Sequence, residues 1–217
     1  MAEAKLVSYT QNYKQLLELA CSKPYDKVVS LKAIVDHIVA SGHLSVLEHC
    51  YASFEVKCSV RVLGQLTRHR HLSFTVKSAR GSKFDKMVIP EGLRNSIGNL
   101  CKIHGVNDEY LPAAVNLTID LVNEVMLKSY DDALAGGAKE QDAAYLLPQG
   151  VETSLVVTGN FRAWLEYLPK RLCQRAMPEH RELAELIHKE LATYIPELFD
   201  KRLMNCATCT ERSCQFK

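Results

Sequence analysis

Apolar residues recur every three or four positions along several stretches of this chain. In SLKAIVDHIVASGH the repeat runs through Leu31, Ile34, Val35, Ile38 and Val39, opened by Ser30 and closed by Gly42, and it predicts a helix. CYASFEVKC alternates and predicts a strand. SVRVLGQLTRHR returns to helical spacing through Val60, Leu63 and Leu66, and SFTVKSAR suits a strand or an extended loop. Residues 110–130 predict a long amphipathic helix with Leu117, Leu121, Val122 and Val125 inward. ETSLVVTG predicts a strand, and residues 160–170 predict a helix in which Pro169 removes a backbone donor. PEHRELAELIHKELATYI predicts a further helix with Pro178 in its first turn, a favoured place for proline. Long helices among few strands predict an α+β fold: a single domain with a central, mainly antiparallel sheet and long helices. The domain is expected over residues 1–200, with a cysteine-containing tail over 201–217.

Composition narrows the classes of function. With 217 residues and 47% apolar content the chain has the material for a real core. A formal net charge of +2 argues against a general polyanion binder, so any positive charge that matters is local. No apolar run approaches the roughly 20 residues that span a bilayer. The start, MAEAKLVSYTQNYK, lacks the apolar stretch of a signal peptide. A cytoplasmic location is therefore expected, where the eight cysteines are reduced thiols or metal ligands rather than disulfides. CATCTERSC spaces Cys206, Cys209 and Cys214 as C-x2-C-x4-C, one ligand short of a zinc site, and an exposed reduced tail is the preferred reading. No metal is assigned.

The local charge lies in RHRHLSFTVKSAR, residues 68–80, where Arg68, His69, Arg70, His71, Lys77 and Arg80 meet no acid. Arginine's planar fork makes paired, charge-assisted hydrogen bonds to phosphate, so these side chains with Ser78 could converge on a phosphorylated ligand. The competing reading is a solvated basic face. A second basic stretch, NFRAW followed by KRLCQRAMPEHR, adds Arg162, Arg171 and Arg175 and favours a nucleotide site. Ser78 lacks the nucleophile elbow and orienting acid of a catalytic serine. His43 and His49 in HLSVLEH stand six apart, wrong for two zinc ligands on one helix face. With Phe74 as its single aromatic, the basic stretch is a poor nucleic-acid surface.

Arg68-His69-Arg70, seven residues, then Ser78 and Arg80 resemble the signature of the flavin-dependent thymidylate synthases. GHLSVLEH resembles that family's His-x-Ser/Thr-x-x-Glu-His segment, and GQLTRHR its Gln-x-x-Arg-His-Arg helix end. LLPQGVETSLVVTGNFRAW resembles the segment leading to its Asn-x-Arg turn, and RLCQRAMPEHR its late helix start. The likeness runs in order over roughly residues 30–195.

The resemblance implies a homotetramer with FAD bound where subunits meet. It implies conversion of dUMP to dTMP, with methylenetetrahydrofolate as carbon donor and NADPH as reductant, and no enzyme nucleophile. Gln65, Arg68, Ser78, Arg80 and Arg171 fall at substrate-binding positions, with Arg80 on the phosphate and Arg171, the catalytic position, at the uracil. His43, Ser45 and Glu48 fall at or near flavin-contacting positions. So do Arg68, His69, Arg70 and His71, and later Asn160, Arg162 and Arg175.

Three positions depart from the family pattern. Thr75-Val76 replaces an Asn-Glu or Gln-Glu pair, Ala144 stands where an arginine usually precedes Leu-Pro, and Glu166 replaces an Asn or His six residues after Asn160. A charge-assisted hydrogen bond to the ligand is worth about 1.5–3 kcal/mol, so each such replacement should weaken binding, and Lys77 could restore some charge. Two readings stay open: a thymidylate synthase of a divergent branch, or a flavoprotein of the same fold that acts on another pyrimidine nucleotide or binds nucleotide with reduced or no synthase activity.

Overall fold

The computed structural model describes residues 2–39, 41–200, 203 and 209–215. Four strands, β1 (Glu3–Tyr9), β2 (Tyr51–Ser59), β3 (Leu72–Val76) and β4 (Glu152–Asn160), form one antiparallel sheet in the order β1-β2-β4-β3. The alternation read from the sequence sets β2 and β4: Phe54, Val56 and Cys58 are buried in β2, and Thr153, Leu155, Val157 and Gly159 in β4. The helices are α1 (Tyr13–Ser22), α2 (Leu31–Ala33), α3 (Val60–Leu66), α4 (Glu91–Ile103), α5 (Leu111–Ala135), α6 (Glu140–Ala143), α7 (Phe161–Arg171), α8 (Pro178–Tyr194) and α9 (Pro196–Phe199). The fold is α+β, as the patterning predicts. None of the described helices is long and apolar enough to cross a membrane.

The chain divides into two compact units, one of residues 57–64 and 76–154, the other of residues 2–56, 65–75 and the described part of 155–217. In the second unit β1 packs on α8, where the Leu6 N–H donates to Glu190 Oε2 at 3.4 Å. α8 buries Leu183, Ala184, Ile187 and Leu191, positions at helical spacing. Trp164 of α7, fully buried, donates its indole N–H to the Ala52 carbonyl at 3.1 Å and packs edge-on against Phe54. Gly159 is required here. A Cβ at that position would run into the Leu72 side chain and lie 3.2 Å from the Trp164 ring nitrogen.

In the first unit, α4 and α5 pack as a helical hairpin, with Gly98 against Val115 and Arg94 Nη1 donating to Asn116 Oδ1 at 2.7 Å. The long helix is present over 111–135, but its predicted inner face is not inward. Leu117, Leu121 and Val125 are 61%, 52% and 67% exposed, and Val122 is exposed too, whereas Val115, Ile119 and Tyr130 are buried. At about 100° per residue Leu117 and Leu121 lie roughly opposite Ile119 and Tyr130, Val125 lies between the two sides, and Val122 falls beside Val115. Apolar residues occur on both sides, so the repeat alone did not choose between them.

Smaller differences concern boundaries. The helix expected over 59–70 stops at Leu66, and the turn bonds Arg68 N–H to Gln65 O and His69 N–H to Leu66 O release the basic residues from helical geometry. Val62 and Leu66 are its buried residues, while Val60 and Leu63 are half-buried. The stretch from Ser30 begins as α2, capped by Ser30 Oγ accepting from the Ala33 N–H, and continues as a π-helical segment over Ile34–Val39. Pro169 is accommodated inside α7, near its C-terminal end. Strand β1 and helices α1 and α4 had no counterpart among the predicted elements.

Candidate functional site

The turn after α3 and the start of α7 converge within the second unit. Asn160 ends β4 and caps α7, its Oδ1 accepting the Ala163 N–H at 2.8 Å. That cap fixes the direction in which Arg162 leaves the helix. Arg162 Nη1 donates to Glu48 Oε1 at 2.6 Å and its Nε to Glu166 Oε1 at 2.8 Å. Glu48, His71, Asn160, Arg162, Ala163 and Glu166 line a hollow of about 220 Å³. A second hollow, of about 230 Å³, is lined by Arg68, His69, Arg70, His71 and Leu72 together with Ala163, Glu166, Tyr167 and Lys170. The shared walls, His71, Ala163 and Glu166, make the two hollows neighbours along one groove.

The charge in this groove is uneven. Arg68, Arg70 and Lys170 gather at the second hollow against Glu166, whereas in the first hollow Arg162 stands between two carboxylates. The hydrogen bond from Arg162 holds the Glu166 carboxyl below the usual carboxylate range.

Arg171, at the end of α7, donates its Nε–H to His69 Nε2 at 2.9 Å. His69 must therefore be neutral, with its hydrogen on Nδ1. Burial, then the charges of Arg171 and Lys170, push its pKa down to about 4. Its ring stands edge-on to Tyr167 at a centroid distance of 4.8 Å, and Tyr167 stands edge-on to Trp164 at 5.6 Å. The guanidinium of Arg171 is thus tied through rigid rings to the core.

Gln65, near the end of α3, faces His180 Nδ1 with its Oε1 at 3.5 Å and Met177 Sδ with its Nε2 at 3.6 Å. His180 is fully buried, and burial, then Arg171 and His69, push its pKa down to about 3.

The groove thus collects Glu48, Arg68, His69, Arg70, His71, Asn160 and Arg162, and the bond to His69 brings in Arg171. His43 and Ser45 are exposed, at the entry and in the first turn of the short helix Leu44–His49, and neither lines the two hollows. Arg175, also exposed, pairs with Glu211 at 3.2 Å. Ser78 and Arg80 are exposed after β3, where Ser78 Oγ accepts the Arg80 N–H at 3.2 Å. Cys209 and Cys214 are free thiols, and Cys206 lies outside the described residues. Among the described residues no group of three His, Cys, Asp or Glu side chains could hold a metal.

Tyr167 and His180 escaped the reading of the sequence. His180 falls in register with Leu183, Ala184, Ile187 and Leu191, and that register marks it as facing the core.

A family model described as "Thymidylate synthase complementing protein" matches residues 5–197. The chain belongs to this family. It is 32% identical over 184 residues to a flavin-dependent thymidylate synthase of Mycobacterium tuberculosis strain H37Rv, covering 82% of this chain and 72% of that protein. A flavin-dependent thymidylate synthase of Saccharolobus solfataricus is 30% identical over 225 residues, 95% of this chain and 78% of that protein. A third, from Mycobacteroides abscessus, is 30% identical over 181 residues, with 82% and 72% covered.

Proposed function

We propose that the chain is a flavin-dependent thymidylate synthase that converts dUMP to dTMP, with FAD as cofactor, methylenetetrahydrofolate as carbon donor and NADPH as reductant. The observation that carries this reading is the pairing of Arg171 with neutral His69 beside a groove built from the Arg68–His71 and Asn160–Arg162 segments. A fixed, permanently charged donor is what the chemistry needs where negative charge develops on a pyrimidine ring.

The donor set suits an anionic dinucleotide. Arg68, Arg70 and Lys170 give cationic donors for a pyrophosphate, and His71, Asn160 and Arg162 give further polar contacts along the groove. Bound FAD supplies the reducing equivalents that turn the transferred carbon into a methyl group. Gln65, Arg68, Ser78, Arg80 and Arg171 hold the nucleotide, Arg80 at its phosphate and Arg171 at the uracil. His43, Ser45, Glu48 and Arg175 complete the flavin contacts.

Each hollow is below the roughly 300–1,000 Å³ that encloses even a drug-sized ligand, which favours a flavin site completed by other copies of the chain. The exposed stripe on α5 supplies apolar surface for a homotetramer. The working unit is residues 1–200, with 201–217 as a tail, and it acts in the cytoplasm.

Val76 and Ala144 favour a second reading in which the nucleotide differs from dUMP or turnover is lost, since neither side chain can make a polar contact. One assay separates the two. Purified protein with FAD, NADPH, methylenetetrahydrofolate and dUMP should form dTMP, and Arg171→Ala should reduce turnover about 100-fold or more. Flavin binding without dTMP, with dUMP no tighter than other pyrimidine nucleotides, would favour the second reading; Ala144→Arg should then fail to tighten dUMP. A protein that takes up no FAD would overturn both.

A further inference from the structure

His180 is fully buried, whereas every other described histidine keeps exposed surface. Its Nδ1 lies 3.5 Å from Gln65 Oε1, and its Nε2 has no hydrogen-bond partner among the described residues. An amide oxygen only accepts, so the imidazole hydrogen is on Nδ1 and the buried lone pair is on Nε2. A leucine would fill a similar volume without burying an unpaired acceptor, so the imidazole is a costly way merely to fill space. What it provides is orientation. The amide of Gln65 is held at both ends, its oxygen by His180 and its nitrogen against Met177 Sδ at 3.6 Å. Turning the amide over would set its oxygen against Met177 Sδ, acceptor against acceptor, and would move the His180 hydrogen onto the buried Nε2, which has no acceptor among the described residues. The His180 ring also stands at right angles to His69, with centroids 6.4 Å apart, and His69 is the acceptor that holds Arg171.

We propose that His180 is a positioning residue that fixes the Gln65 amide and backs the His69 ring, so that Gln65 and Arg171 meet the pyrimidine in one orientation. This rests on the pyrimidine reading above. His180 touches no ligand itself; it acts through Gln65 directly and through His69 by ring packing. Asparagine can place an N–H where Nδ1–H stands, and leucine cannot, so the two substitutions separate the hydrogen bond from the volume.

The test uses FAD-loaded full-length protein titrated with dUMP and followed by flavin absorbance. His180→Leu should weaken dUMP about fivefold to tenfold, the loss expected of one neutral hydrogen bond, with FAD content unchanged. His180→Asn should stay within about twofold of wild type, as expected when the hydrogen bond is kept. The ligand-independent readout is the nitrogen-15 spectrum of the imidazole, which should show His180 protonated at Nδ1 and should change in Gln65→Leu. If His180→Leu does not fold, His180→Asn and the spectrum decide the matter. Protonation at Nε2 in the wild type, or equal dUMP affinity in wild type and His180→Leu, would overturn the proposal. A wild type that binds FAD but no dUMP would overturn the dUMP reading, and the role of His180 toward that ligand with it.

Discussion

Helices α5 and α8 carry the same kind of apolar repeat and put it to different uses. The α8 stripe of Leu183, Ala184, Ile187 and Leu191 is buried. α5 covers Val115, Ile119 and Tyr130 and leaves Leu117, Leu121, Val125 and Met126 exposed. Periodicity reports that a face is apolar; it does not report whether the cover comes from the same chain. A contiguous exposed apolar stripe on a long helix is a surface for association. The difference therefore separates a helix whose apolar stripe is covered from a helix that leaves apolar surface exposed.

The largest expected effect breaks this comparison directly. Ile187→Ala removes a fully buried side chain and should cost about 2–5 kcal/mol, read as a lower midpoint in urea unfolding. Leu121→Ala, at a position 52% exposed, should cost within about 0.5 kcal/mol in a dissociated protein. Its effect should appear in assembly instead: the double substitution Leu121→Lys and Val125→Lys should shift light-scattering mass from tetramer toward smaller species while the far-UV spectrum is kept. Equal losses of stability from Ile187→Ala and Leu121→Ala would show that α5 has cover within its own chain.

The next effect depends on pH and belongs to α8. His180 has its pKa lowered to about 3 by burial, Arg171 and His69, and His69 to about 4 by burial, Arg171 and Lys170. Both values lie below the ordinary 6.5, so the unfolded chain takes up these protons first. The stability tied to the neutral rings is fully present above about pH 6.5 and is lost as pH falls through about 4 for His69 and about 3 for His180. Each contributes a slope of at most about 1.4 kcal/mol per pH unit between its two pKa values. Urea unfolding at pH 7, 6, 5 and 4.5 should show a shallower acid loss in His180→Leu than in the wild type. Parallel curves would mean that His180 is not held neutral by its surroundings.

The same contrast explains what could be read in the sequence. Strands β2 and β4 were legible because apolar residues alternate along them, and α8 because its apolar residues recur at helical spacing. Helix α4 escaped notice because Gly92 and Gly98, poor helix formers, interrupt its repeat. The Arg68–His71 and Asn160–Arg162 segments were legible as motifs, since their spacing survives without knowledge of the fold. The bond between His69 and Arg171 joins residues 102 positions apart, and only the folded chain brings those two nitrogens together. Tyr167 and His180 belong to that same long-range packing, and no local spacing announces them as neighbours of the groove.

The smallest expected effect lies at Glu166, where this chain departs from its family's pattern. Arg162 carries one positive charge and meets two carboxylates, Glu48 and Glu166, so the three groups sum to one negative charge at a groove assigned to an anionic cofactor. Glu166→Gln removes one of those charges while keeping a side chain that can still accept from Arg162. Because the pair is partly exposed, solvent screens it, and the gain should be modest: FAD should bind about twofold to fivefold tighter, read from flavin fluorescence quenching. The gain should shrink at high salt, as it must if charge rather than shape is responsible. Weaker FAD binding in Glu166→Gln would assign the carboxylate a different task, holding Arg162 in the pose that the flavin needs.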